Sequence, residues 1–272
     1  MKLIKIIGLF CLFCISFFYT EKVINVTINQ DEIMVKIKEY SSNNNTNPIN
    51  ATISEDTIIP GNVGKYIDED NSYKNMKKIG YFEPTLITYK NIYPEISIYN
   101  NYNKYIIKGN SKNKAISLIY IINNNNTTKN ILNIINNENI KINFFIDSNY
   151  LNNNINIIDK LNNNEIYNYG NNGIYTKDNL IISNNIINNK ANNKSIYCLF
   201  LSKDESSLNN CANTKMLSLL VNKDDNYHTI KNNLQNGSIY LINNTQELSN
   251  IIKYIKSKGY NIVPLSNIIN EE

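Results

Sequence analysis

Arginine and tryptophan are absent from this 272-residue chain, and histidine occurs once, as His228. All 27 basic residues are therefore lysines. Without arginine there is no planar fork for bidentate anion clamping. With one histidine the chain lacks the usual group for proton transfer near neutral pH and the usual zinc ligand. This composition argues against a conventional histidine-based metalloenzyme. Excess charge is also missing. The net charge is +4 and the lysines are scattered, so no nucleic-acid partner is suggested.

Two residue types are in excess instead: 58 residues are Asn and 49 are Ile. Their codons, like those of Lys and Tyr, are AT-rich, so coding bias explains the excess better than a prion-like tract does. The Asn residues also fall within segments that keep ordered hydrophobic periodicity. The same bias devalues sequons such as Asn25-Val26-Thr27, Asn50-Ala51-Thr52 and Asn236-Gly237-Ser238. Hydrophobic residues make up 42%, enough for a core. The length allows one domain of roughly 150–200 residues with additions, or two small ones.

Met1-Lys2-Leu3-Ile4-Lys5 is a short positive region, and Ile6 to Tyr19 is an uncharged apolar run closed by Glu21-Lys22. That layout is a secretory signal or a membrane anchor over residues 1–20. No small-x-small cleavage site precedes Glu21, whereas the run is shorter than the roughly 17–20 residues of a comfortable span. Both options stay open. Either makes the protein exported, and it touches the membrane through this segment if uncleaved. Beyond the run only Cys198 and Cys211 remain. In an exported protein such a pair can be a disulfide, and the alternative is two buried thiols.

Val23 to Tyr40 alternates and predicts one or two strands, followed by an Asn-rich linker to residue 50. Residues 51–110 form a lead-in with a helix near Tyr73–Lys78, capped by Asp70 or Asn71 and ended by Gly80, and strands at Thr85–Tyr89 and Ile96–Tyr99. From residue 111 the pattern is regular. Ala115–Ile122, Ile142–Ile146, Ile166–Tyr167, Ser195–Leu201, Leu217–Val221, Ser238–Ile242 and Asn261–Val263 read as strands. Helices run between them: Thr127–Glu138, Leu151–Leu161, Asp178–Asn189 with Thr176 as cap, Asp225–Leu234, and Asn244–Ser257 with Asn244 and Glu247 at capping-box spacing. A short helix follows the last strand. This alternation predicts an α/β fold with a parallel sheet or barrel over residues 111–272.

The order of these segments resembles the polysaccharide deacetylases, the NodB-homology carbohydrate esterases. The resemblance rests on Ile142-Asn143-Phe144-Phe145-Ile146, Glu165-Ile166-Tyr167-Asn168, Gly237-Ser238-Ile239-Tyr240-Leu241 and Lys258-Gly259-Tyr260-Asn261-Ile262-Val263-Pro264-Leu265-Ser266. It covers roughly Lys114 to Glu272, and Ile53 to Asn110 is similar to the lead-in of divergent exported members. It implies a distorted (β/α) barrel with an irregular N-terminal lead-in. It also implies removal of acetyl groups from N-acetylated sugars, with a divalent metal, a carboxylate base and a histidine acid.

Carried onto this sequence, the family's catalytic positions are vacant. Its paired aspartates fall on Ile121 and Ile122, and its metal histidines on Tyr169 and Gly173. Its Arg-Pro-Pro-Tyr-Gly strand becomes Ile196-Tyr197-Cys198-Leu199-Phe200, and its late His-Asp becomes Asn243-Asn244. No catalytic, metal or cofactor residue is therefore assigned, and no cofactor is expected. Asp147 is the surviving acid at the strands' carboxyl ends, where barrel sites lie. His228 lies outside the histidine position, Asp224-Asp225 reads as a helix start, and Tyr120, Tyr167, Tyr169, Tyr175 and Tyr197 either line a sugar-binding floor or pack. Three readings follow: an envelope glycan- or partner-binding module without metal catalysis, a divergent deacetylase with a relocated site at Asp147, Asp204, Glu205 or His228, and a structural envelope protein.

Overall fold

The computed structural model describes residues 2–271 except 111, 125–127, 162, 224 and 243. Of the positions singled out above, Met1, Thr127, Asp224, Asn243 and Glu272 lie outside the described residues. In chain order the elements are α1 (Lys2–Gln30), α2 (Glu32–Asn44), β1 (Thr52–Ser54), β2 (Thr57–Ile59), β3 (Gly64–Ile67), α3 (Glu69–Lys77), β4 (Tyr89–Ile92), β5 (Tyr105–Ile106), β6 (Ala115–Ile122), α4 (Thr128–Asn137), β7 (Asn143–Ile146), α5 (Ser148–Asn153) and α6 (Ile157–Lys160). They continue with β8 (Glu165–Asn168), α7 (Lys177–Lys190), β9 (Tyr197–Phe200), α8 (Glu205–Asn213), β10 (Leu217–Leu220), α9 (Tyr227–Asn233), β11 (Ile239–Leu241), α10 (Thr245–Ser257), β12 (Asn261–Ile262) and α11 (Leu265–Ile269). The chain divides into two compact units, Met1–Pro48 with Val63–Tyr93, and Ile49–Asn62 with Pro94–Glu272.

In the first unit the segment expected as strands, Val23 to Tyr40, is helical in α1 and α2. Ile33, Met34, Ile37 and Ser41 recur at helical spacing and form the buried face of α2. Ile33 and Ile37 pack with Ile67 of β3 and Met76 of α3. Asp31 caps α2 by accepting from the Ile33 amide, and its second oxygen accepts from the Tyr73 hydroxyl and Lys77 Nζ. The apolar run at the start of the chain is part of the 29-residue α1, whose stretch Phe10–Gln30 is long and apolar enough to cross a membrane. The cap of α3 is Asp68 rather than Asp70 or Asn71. The strand expected at Thr85–Tyr89 is a 3-10 turn followed by β4, which pairs antiparallel with β3.

The second unit holds two sheets. One has the order β1-β2-β5-β10-β9; the other runs β11-β6-β7-β8, with β12 also on β6. All neighbours are parallel except the β1–β2 hairpin. The apolar run of β6 is buried on both faces because two clusters sandwich it. Leu118 and Ile122 meet the helix-side core with Ile131, Phe144 and Ile251, whereas Ile119 meets the inner core with Phe145, Leu199 and Leu219. Ile98–Asn100 is a 3-10 turn where a strand was expected. Thr176 and Asn179 form a capping box on α7. Asn226, not Asp225, caps α9. Asn244 caps α10, but Glu247 accepts from the Tyr227 amide rather than closing a capping box. Cys198 of β9 and Cys211 of α8, both fully buried, are joined by a disulfide.

Polar side chains close the amino ends of the central strands. Ser117 Oγ donates to the Val263 carbonyl at 2.7 Å. Asn143 Nδ2 donates to Ser117 Oγ and the Leu118 carbonyl, both at 2.8 Å, while its Oδ1 accepts from the Leu265 amide at 2.9 Å. Glu165 accepts from the Ser266 amide and hydroxyl and from the Tyr167 hydroxyl. Glu271, 2% exposed, accepts from the amides of Gly61 and Ile98 and from the Ser97 hydroxyl.

Candidate functional site

The carboxyl ends of β6, β8, β9, β10 and β11 surround a hollow of about 400 Å³. Its lining is Tyr120, Ile121, Asn123, Tyr169, Asn172, Leu201, Lys223, Leu241 and Ile242. The lining mixes apolar and aromatic side chains with the amides of Asn123 and Asn172 and the cation of Lys223.

Alternation along β6 separates the two positions that the resemblance assigns to aspartates. Ile121 is half-buried and lines the hollow, whereas Ile122 is 1% exposed and turns into the helix-side core. The two histidine positions pack on each other. A Cβ at Gly173 would stand 3.1 Å from the Tyr169 hydroxyl, and Gly173 has a φ of +85°, where side chains are strained. Burial, and after it the nearby Asp147 charge, push the Tyr169 phenol above its ordinary pKa.

Asp147 is 8% exposed and both its oxygens are engaged. Oδ1 accepts from the Tyr150 amide at 3.0 Å, capping α5, and Oδ2 accepts from the Asn172 amide at 2.7 Å. Asp225, 6% exposed, accepts from the Leu241 amide at 2.9 Å through Oδ2. Its charge adds to burial in raising the Tyr240 phenol to about 12. Asp204 caps α8 through the Ser207 amide and hydroxyl, and Glu205 is exposed in the first turn of that helix. His228 is exposed on α9, with Nε2 3.1 Å from Asn232 Nδ2. The acids of the relocated-site reading thus start helices, Asp147 at α5 and Asp204 and Glu205 at α8, and none of them lines the hollow.

Of the five tyrosines considered for a sugar floor, Tyr120 and Tyr169 line the hollow. Tyr167, Tyr175 and Tyr197 are each 1% exposed and belong to the interior. Tyr175 donates its hydroxyl to the Asn168 carbonyl and accepts from the Leu199 amide. Asn172, Asn123, Leu201 and Lys223 carry no catalytic signature and escape a search by motif. The Asn172-Gly173 pair, a turn signal, marks the loop that carries the first of them.

The divalent metal that the resemblance implies does not fit this site. Ile121 and Gly173 offer no donor, the Tyr169 phenol is held protonated, and the nearby carboxylates cap backbone. Among the described residues no group of three or more His, Cys, Asp or Glu is placed to hold an ion.

No protein-family model and no curated protein matches the sequence. The structure does find neighbours. It is similar to BA3943, a CE4 family pseudoenzyme from Bacillus anthracis, with 21% identity, 89% of this chain and 96% of that chain covered, and a TM-score of 0.64. A mutant of BA3943 with restored enzymatic activity aligns at 20% identity over 89% of this chain and 99% of that one, TM-score 0.63. The Bc1960 peptidoglycan N-acetylglucosamine deacetylase aligns at 18% identity over 61% of this chain and 92% of that one, TM-score 0.52. The chain therefore has the fold of the family 4 carbohydrate esterases, the polysaccharide deacetylase fold.

Proposed function

We propose that this chain is an exported, deacetylase-fold protein of the cell envelope that binds glycan at its mouth without metal-dependent hydrolysis. The observation that carries the reading is the mouth itself. It keeps a hollow of about 400 Å³, yet Ile121 and the Tyr169–Gly173 pair occupy the positions of base and metal ligands. A lining of aromatic and aliphatic side chains beside amides and one ammonium donor suits a ligand with one apolar face and many hydroxyls, as a sugar ring has. The neighbours support this choice, since one is described as a pseudoenzyme and another as a peptidoglycan N-acetylglucosamine deacetylase. The apolar α1 supports export, and its unbroken length supports retention as an anchor.

The test is metal-free binding. The full chain in detergent with excess chelator is mixed with purified peptidoglycan and with N-acetylglucosamine oligomers. The expected result is saturable binding that chelator does not weaken. Binding that appears only when zinc or cobalt is added would overturn the reading.

A further inference from the structure

The loop leaving β8 is unusual. Gly170, Asn172 and Gly173 have φ values of +66°, +51° and +85°, so three of four consecutive residues are left-handed. Asn tolerates that region better than most side chains, but it is still strained relative to ordinary backbone. The conformation is held from several sides. Gly170 donates its amide to Asn168 Oδ1 at 2.7 Å and accepts from the Ser148 amide at 2.7 Å. Gly173 donates to the Tyr169 carbonyl at 3.1 Å, and Asn172 donates to Asp147 Oδ2 at 2.7 Å. The backbone of Asn172 is thus fixed while its side chain lines the hollow and is exposed. Among the described residues that side-chain amide makes no hydrogen bond. A strained loop, over-determined by its neighbours, that presents one amide to a cavity is the arrangement expected of a preorganised contact.

We infer that the 169–174 loop is the specificity wall of the mouth, with the Asn172 amide contacting a sugar hydroxyl or amide and Asp147 as the positioning residue that holds Asn172 in place. The inference rests on the proposed glycan-binding reading and assigns its contact residue. Asp147 and Asp225, the two buried acids at this end, already serve backbone amides, so the contact to the ligand falls to a neutral group of the wall.

The experiment titrates the full chain in detergent with the N-acetylglucosamine tetramer by calorimetry. Asn172→Ala should weaken binding about 5- to 10-fold, the loss of one hydrogen-bonding group, with a small fall in melting temperature from Ala at positive φ; Asn172→Gly, which suits that φ, should lose the same affinity without the fall. Asp147→Ala should weaken binding at least as much, but should add little in the Asn172→Ala background. A role for Asp147 in stability alone would multiply the loss equally in both backgrounds and would overturn the positioning role. Should Asp147→Ala not fold, Asp147→Asn keeps one acceptor and should give an intermediate loss with the same non-additivity. Unchanged affinity in Asn172→Ala overturns the inference while leaving glycan binding intact. No binding by the unmodified chain overturns the parent reading, and this inference with it.

Discussion

At their amino ends β6, β7 and β8 present Ser117, Asn143 and Glu165, and each of these side chains bonds to the segment after β12. At their carboxyl ends the same strands present Ile121, Ile146 and, just past β8, Tyr169, and the nearby Asp147 and Asp225 carboxylates accept from the Asn172 and Leu241 amides. The contrast separates scaffold from chemistry. Asn143, Glu165 and Val263 to Ser266 belong to the motifs that carry the deacetylase resemblance, and they close the amino end. Of the vacant positions, Ile121, Ile122, Tyr169 and Gly173 lie at the other end, where barrel folds place their sites. Residues that carry the fold and positions that would carry chemistry are thus drawn from opposite ends of the strands.

The sharpest way to break the comparison is charge insertion on β6. Ile122→Asp buries a carboxylate in the helix-side core and should cost more than about 4 kcal/mol, whereas Ile121→Asp at the half-buried mouth should cost only about 1–2 kcal/mol. Denaturant titration compares them, and equal losses would contradict the assignment of Ile121 alone to the hollow. Next in size, Asn143→Leu strands the Leu265 amide and the Leu118 carbonyl and should cost about 3 kcal/mol; Glu165→Gln weakens a charge-assisted pair and should cost about 1.5–2 kcal/mol. Asp147→Asn at the opposite end should cost less than Asn143→Leu in the same assay. If the order reverses, the amino end is not the better-tied one.

Alkaline titration sharpens the same contrast. Burial raises the phenols of Tyr167, Tyr175 and Tyr197 well above the ordinary value of 10, and Tyr240 is raised to about 12. A folded-state pKa above the unfolded one means that the stability is complete below pH 10 and is lost as pH rises past it. For Tyr240 the window runs from 10 to about 12. Phenolate absorbance should show Tyr240 ionising before global unfolding and the three interior tyrosines only with it; early ionisation of all four would contradict the packing. The smallest effect is expected from Tyr169→His. A single ligand beside Gly173 and Ile121 should leave zinc affinity unchanged in equilibrium dialysis.

Much of the second unit is legible in the sequence, since long apolar runs such as Ala115–Ile122 admit few alternatives. Thr176 and Asn244 announce their caps because a short acceptor side chain precedes an amphipathic stretch. The misreadings have local causes. Val23 to Tyr40 carries a period-2 alternation near Val23–Ile28, but Ile33, Met34 and Ile37 have helical spacing, and tertiary burial selects the helix. Ile121 and Ile122 are chemically identical, so only their register shows which one faces the mouth. Asp147 reads as a free acid because its two backbone donors lie 3 and 25 residues away. Asn172 is hidden among 58 asparagines, and only the loop geometry sets it apart.

The proposed function requires a mouth that keeps its hollow without metal-dependent chemistry. It is tested most directly by measuring acetate released from N-acetylglucosamine oligomers by the full chain, with zinc or cobalt in excess. The account predicts release no faster than in the protein-free control. Metal-dependent release that saturates with oligomer would contradict it.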